Sequence, residues 1–69
     1  MTGYTFYFIN IRGRVLDFDF AQCADDGHAT EVAREELSQH MSAQFVDIFN
    51  GEAVIMRLAR DTARPNARP

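Results

Sequence analysis

The side chains best able to do chemistry lie in one short segment near the middle of the chain. Cys23 and His28 flank two acids, Asp25 and Asp26, and a thiol beside an imidazole is the pair that cysteine nucleophiles use. The sequence shows no third group to orient the imidazole and no donors for an oxyanion. We therefore predict that Cys23 packs half-buried under the start of a helix, that His28 faces solvent, and that the protein is not an enzyme.

Metal binding is the second chemistry to consider. Cys23, His28 and His40 are the only cysteine and histidine residues, and their spacing matches none of the common structural zinc patterns. A patch of four acids also lacks the glycine-centred spacing of a calcium loop. The patch consists of Asp17, Asp19, Asp25 and Asp26. We predict no metal and no cofactor, and we expect His40 to interact with the dipole of a helix end.

The charge is divided between an acidic body and a basic end. Residues 1–56 carry three arginines against nine acids, a net −6, and residues 57–69 carry four arginines against one acid, a net +3. Pro65 and Pro69 oppose a helix there, so we predict a disordered tail over 59–69. An acidic body repels phosphate, and specific nucleic-acid binding is not expected. A protein partner with a basic surface is more compatible with this acidic body than nucleic acid is.

The size of the chain favours self-association. A chain of 69 residues with one cysteine forms a single small domain without an intramolecular disulfide, and association is then a common source of stability. The sequence contains no apolar run of about 18 residues and no signal-peptide pattern. We therefore expect a cytoplasmic protein that does not enter membranes, and we predict a homodimer.

Hydrophobic periodicity predicts two hairpins on either side of one helix. Stretches 4–9 and 14–20 alternate as strands, as do 44–49 and 52–58. A helix is predicted over 28–42, capped by Asp25 or Asp26. Its apolar stripe contains Ala29, Val32, Ala33, Leu37 and Met41. The fold class is α+β with the order β-β-α-β-β, a four-stranded antiparallel sheet with one helix on one face, in a single domain over 1–58.

The predicted helix is too slight to cover both faces of this sheet. In the stretch 14–20 the face bearing Asp17 and Asp19 should meet water. With Asn50 and Gly51 as a two-residue loop, Asp47 should face Val54 across the second hairpin. The apolar surface left over is predicted to form the dimer interface. Its residues are Tyr4, Tyr7, Ile9, Phe45, Phe49 and Met56.

Most of the chain resembles a family of small bacterial proteins known only as a domain of unknown function. The resemblance lies in the aromatic strand at 6–8, the Gly-Arg-aliphatic strand at 13–17, the Ala/Glu/Arg-rich helix at 29–37 and the Asn-Gly hairpin at 50–51. It covers about 4–58. The resemblance implies a fold and no activity, so the expected function is that of a non-catalytic interaction module that associates through its sheet.

The middle of the chain is also similar to the strand-to-helix link of HicB-type antitoxins. Asp19, Cys23, Gly27 and Ala33 fit that pattern. The similarity implies a β-β-α-β unit that occludes a toxin. An antitoxin-type inhibitor of a basic toxin or nuclease is therefore the alternative prediction.

Overall fold

A computed structural model of the protein describes residues 1–60. Its elements are β1 (Thr2–Ile9), β2 (Val15–Cys23), α1 (Asp26–Gln39), β3 (Phe45–Asn50) and β4 (Ala53–Ala59). The four strands form one antiparallel sheet in the order β2-β1-β3-β4, and α1 packs on one side of it. The predicted α+β class and the β-β-α-β-β order are confirmed.

The core lies between α1 and the two inner strands. Phe6 and Phe8 of β1 have no exposed surface, and the same is true of Val46 and Ile48 of β3, because alternate side chains of each strand point to the helix side. From α1 the buried residues are Ala29, Ala33 and Leu37. Two of these are alanines, so the helix can approach the sheet closely while covering little of it.

The helix is shorter than predicted and begins earlier. Asp25 is its N-cap and accepts a 2.9 Å hydrogen bond from the backbone N–H of His28, which satisfies one of the free donors of the first turn. The helix ends at Gln39 because His40 leaves the helical region, with φ −96° and ψ 85°. Met41, predicted in the apolar stripe, therefore lies beyond the helix and is 80% exposed.

The fourth strand also extends past the predicted domain boundary at residue 58. Strand β4 continues to Ala59, and the backbone N–H of Arg60 donates to the carbonyl oxygen of Gln44 at 2.7 Å. Ala59 and Arg60 thus belong to the domain rather than to the predicted tail. The rest of that tail, 61–69, lies outside the described residues.

Strand β2 faces the helix with the side that carries its two aspartates. Phe6 pairs with Asp19 and Phe8 with Asp17, so both aspartates stand on the helix side, although each is exposed at the edge. The reason is that β2 runs on to Cys23, which is fully buried beneath α1. Side chains two residues apart share a face, and the buried Cys23 fixes Asp19 and Asp17 on its own side.

The second hairpin has a different register from the predicted one. Asn50 pairs with Ala53, so the loop consists of Gly51 and Glu52, and Asp47 pairs with Arg57 rather than Val54. Gly51 has a φ of +67°, a conformation that favours glycine. An irregularity beside Ile48 adds one residue to β4, which shifts the rest of β4 relative to β3.

Candidate interaction surface on the sheet

The side of the sheet opposite α1 is the candidate functional site, and we call it the open face. The residues that strand pairing assigns to this face include Thr5, Tyr7, Ile9, Val15, Phe18, Phe20, Phe45, Asp47, Phe49, Val54, Arg57 and Ala59. Five of the eight aromatic residues of the chain belong to this face. Among residues 1–60 no helix or strand packs over it.

The aromatic rings of the open face form a connected set that crosses three strands. Tyr7 lies 5.2 Å from Phe49 in an edge-to-face arrangement and 6.2 Å from Phe18, between ring centroids. Phe18 in turn lies 5.9 Å from Phe20, again edge to face. These are the separations at which aromatic pairs attract each other. Phe18 is nevertheless 55% exposed and Phe20 71% exposed, so the set ends in open apolar surface.

One ion pair interrupts this apolar surface. The Nε of Arg57 donates to Oδ1 of Asp47 at 2.6 Å and its Nη2 donates to Oδ2 at 3.0 Å, the two-pronged geometry that orients a guanidinium most firmly. The hydrogen bond to Asp47, with its charge, raises the pKa of Arg57. The guanidinium carbon also lies over the ring of Phe45, 5.1 Å from its centroid.

The structure places four of the six predicted interface residues on the open face. Tyr7, Phe45 and Phe49 are partly exposed there, whereas Ile9 is buried to 5% exposure and offers little surface. The prediction that these residues form an interface stays a prediction.

Two predicted interface residues, Tyr4 and Met56, lie on the helix side instead. Tyr4 is 3% exposed and its hydroxyl donates to Asp26 of α1. Thr30 of α1 contacts the sulfur of Met56 at 3.8 Å. Tyr4 shares the inward face of β1 with Phe6 and Phe8, and the extra residue in β4 turns Met56 towards the helix.

Sequence reasoning missed Phe18, Phe20 and Arg57 as open-face residues. The signal for the two phenylalanines was available in the small residues Ala21 and Cys23, which suit the crowded space under a helix. Continuing β2 through them would have assigned Asp17 and Asp19 to the helix side. The position of Arg57 on the open face depends on the irregularity in β4, which no sequence pattern indicates.

The residues best able to do chemistry make structural contacts instead. Cys23 is fully buried rather than half-buried, and burial raises the pKa of its thiol, which opposes thiolate formation. His28 is exposed as predicted, and its Nδ1 accepts a 3.1 Å hydrogen bond from the backbone N–H of Ala24. His40 lies at the helix end, where its ring stacks on Phe8 with centroids 4.0 Å apart.

Two acidic residues, Asp19 and Glu36, lie close together on the helix side. Burial is the main cause that raises the pKa of Glu36, and the hydrogen bond and charge of Asp19 add to it. Over residues 1–60 the structure contains no group of three or more His, Cys, Asp or Glu side chains placed to hold a metal ion. In the same part of the chain no helix has the length and apolar character needed to span a membrane.

No protein-family model, no curated protein and no solved structure matches this chain.

Proposed function

We propose that the protein is a non-catalytic interaction module whose open face binds a second copy of the chain. The observation that supports this is the connected aromatic surface ending in Phe18 and Phe20, which are 55% and 71% exposed. Contiguous apolar surface of this kind is rare on monomers and marks interaction sites. In a chain this small, covering it contributes a large share of the stability.

The free energy gained by covering this surface has to offset the translational and rotational entropy that two chains lose on association. Covering one large apolar side chain contributes about 1.5 to 3 kcal/mol, while association costs roughly 4 to 15 kcal/mol. The four rings of the connected set, Tyr7, Phe18, Phe20 and Phe49, span three strands. Several of them must be covered together, so a partner has to match the sheet as a surface rather than occupy one end.

The dimensions of the sheet lead to the same requirement. Four strands about 4.8 Å apart, whose lengths of six to nine residues correspond to about 20 to 30 Å, give a face roughly 19 Å wide. A stable interface covers about 800 Å² of accessible surface on each partner. The whole open face is therefore needed, and a second sheet of the same size is a suitable cover.

The charge of the open face favours a second copy over other partners. Its one acid and one base, Asp47 and Arg57, pair with each other, so the face is neutral. Residues 1–60 as a whole carry five arginines against nine acids. Nucleic acid would find no unpaired cation on this face, whereas a neutral aromatic face complements itself.

Sedimentation velocity at micromolar concentration tests the proposal. We expect the wild-type chain to be dimeric and the double variant Phe18→Thr, Phe20→Thr to be a folded monomer, because threonine retains strand propensity without the apolar area. Met41→Thr is the matched control, since Met41 is 80% exposed but lies on the helix side. A wild-type chain that sediments as a stable monomer would contradict the proposal.

A protein partner with a basic surface, as in the antitoxin-type alternative, is a second candidate. What supports it is the neighbouring carboxyl groups of Glu36 and Asp19, whose mutual repulsion a partner's basic side chain would relieve. Co-expression with the product of the neighbouring gene, scored for rescue from toxicity, tests this candidate. Rescue by the wild type that is lost in Asp17→Asn, Asp19→Asn would support it, and absence of rescue would exclude that gene product as the partner.

A further inference from the structure

The open face differs between its two halves, and this difference bears on how a second copy is oriented. Cross-strand pairing places Phe18, Tyr7, Asp47 and Arg57 in one row across the sheet, from β2 through β1 and β3 to β4. The first two residues are aromatic and the last two form the ion pair. One half of the face is therefore aromatic and the other half charged.

Arg57 has one side available for a further contact. Asp47 holds its guanidinium by two hydrogen bonds, and Phe45 lies against it. The side chain is still 55% exposed. A planar guanidinium attracts aromatic rings to its faces, so the exposed side of Arg57 is suited to an aromatic ring from another molecule.

Two copies can pack open face to open face in two aligned arrangements. These differ in the direction of the two-fold axis. Paired sheets lie about 10 Å apart with strands within about 30° of each other. An axis along the strands reverses the row, which places Arg57 over Phe18 of the second copy and Asp47 over its Tyr7. An axis across the strands places each residue of the row over its own copy.

We propose, on the basis of the function proposed above, that the second copy binds with the two-fold axis along the strands, so that Phe18 of each copy covers Arg57 of the other. The alternative axis would bury Arg57 against Arg57 and Asp47 against Asp47, and like charges in contact at an interface are strongly unfavourable. The proposed axis also brings the Tyr7 hydroxyl of one copy near Asp47 of the other, where the carboxylate can accept a further hydrogen bond.

Cross-linking of mixed cysteine variants tests this orientation. The row on one side of it contains Val15, Ile9, Phe45 and Ala59, so the proposed axis places Val15 of one copy over Ala59 of the other. Val15→Cys and Ala59→Cys leave the connected aromatic rings and the ion pair intact. When the two variants are mixed and treated with a short bismaleimide, we expect the mixed dimer to be cross-linked to the extent that random subunit exchange allows. Each variant alone should cross-link only weakly.

The controls separate this inference from the proposed function. Wild-type chain carries only the buried Cys23 and should remain uncross-linked. If sedimentation shows a dimer but the mixture yields no mixed product, or if either variant alone cross-links as well as the mixture, the orientation is wrong while self-association stands. If the wild type is a monomer, the proposed function fails and this inference fails with it.

Discussion

The hydroxyl of Tyr4 donates a 2.7 Å hydrogen bond to a carboxylate oxygen of Asp26, which ties the first strand to the first turn of the helix. Tyr4 is 3% exposed, so water has little access to replace this bond. The bond to Asp26 is the main cause that raises the pKa of Tyr4 to about 12, and burial and the neighbouring acids add to it.

We expect Tyr4→Phe to lower the melting temperature by about 5 °C at fixed protein concentration, because a hydrogen bond to a charged group is lost while Asp26 stays accessible to water. Thermal unfolding followed by circular dichroism measures this. The control is the same substitution made in Asp26→Ala, where the acceptor is already absent and Tyr4→Phe should have little further effect. An unchanged melting temperature for Tyr4→Phe would show that the contact is weak.

The same hydrogen bond predicts an alkaline transition. The folded-state pKa of Tyr4 lies above its ordinary value of 10.0, so the stabilisation is complete below pH 10 and is lost as the pH rises towards 12. The chain has two tyrosines, and in Tyr7→Phe the tyrosinate absorbance reports Tyr4 alone. We expect its midpoint near pH 12. A midpoint near 10 would contradict the structure.

Arg60 should contribute more to stability than any exposed arginine. Its guanidinium donates to the carbonyl oxygens of Ala43 at 2.9 Å, Leu37 at 2.5 Å and His40, and α1 has no basic residue in its own last turn. We expect Arg60→Ala to lower the free energy of unfolding by about 2 kcal/mol, measured by urea denaturation. Arg12→Ala, at an exposed turn, should have almost no effect, and equal effects of both substitutions would refute the capping role.

Glu36 should make the fold less stable as the pH rises. Its folded-state pKa lies above the ordinary 4.5, mainly through burial and further through Asp19. The folded chain therefore holds this proton more tightly, and the stabilisation present below pH 4.5 is lost as the pH rises through the folded-state pKa.

We accordingly expect Glu36→Gln to raise the melting temperature by a few degrees at neutral pH and to have little effect below pH 4.5. Melting temperatures across this pH range measure the difference. Glu35→Gln removes the same charge from an exposed site of the same helix and should leave the shape of the pH profile unchanged. A pH profile of Glu36→Gln parallel to that of the wild type would contradict the assignment.

Cys23 should react with thiol reagents only when the chain opens. It is fully buried and burial raises its pKa, so labelling should be slow in buffer and fast in denaturant. Cys23→Ser buries a hydroxyl and should be less stable than Cys23→Ala by about 1 to 2 kcal/mol. Rapid labelling of the folded chain would show that the site is accessible.

The sequence predicted the order and class of the elements because each strand and the helix has its own periodicity. It failed where position depends on contacts distant in sequence. The face of β2 was assigned from the alternation of Phe18 and Phe20 with the aspartates, but the burial of Cys23 under α1 decides it. The pairing of Asp47 with Arg57 depends on an irregularity in β4 that is visible only once β3 and β4 are paired. An uncovered sheet face was predicted, but two of its five aromatic residues, Phe18 and Phe20, were not assigned to it.

The carbonyl-binding role of Arg60 has a consequence for synthesis of the chain on the ribosome. The helix ends at Gln39, yet the side chain that binds its last carbonyl oxygens is made 21 residues later, after both strands of the second hairpin. In a nascent chain whose Arg60 has not yet emerged from the ribosome, these carbonyl oxygens lack their side-chain donor. Folding of this domain is thus completed only after its final strand has emerged from the ribosome.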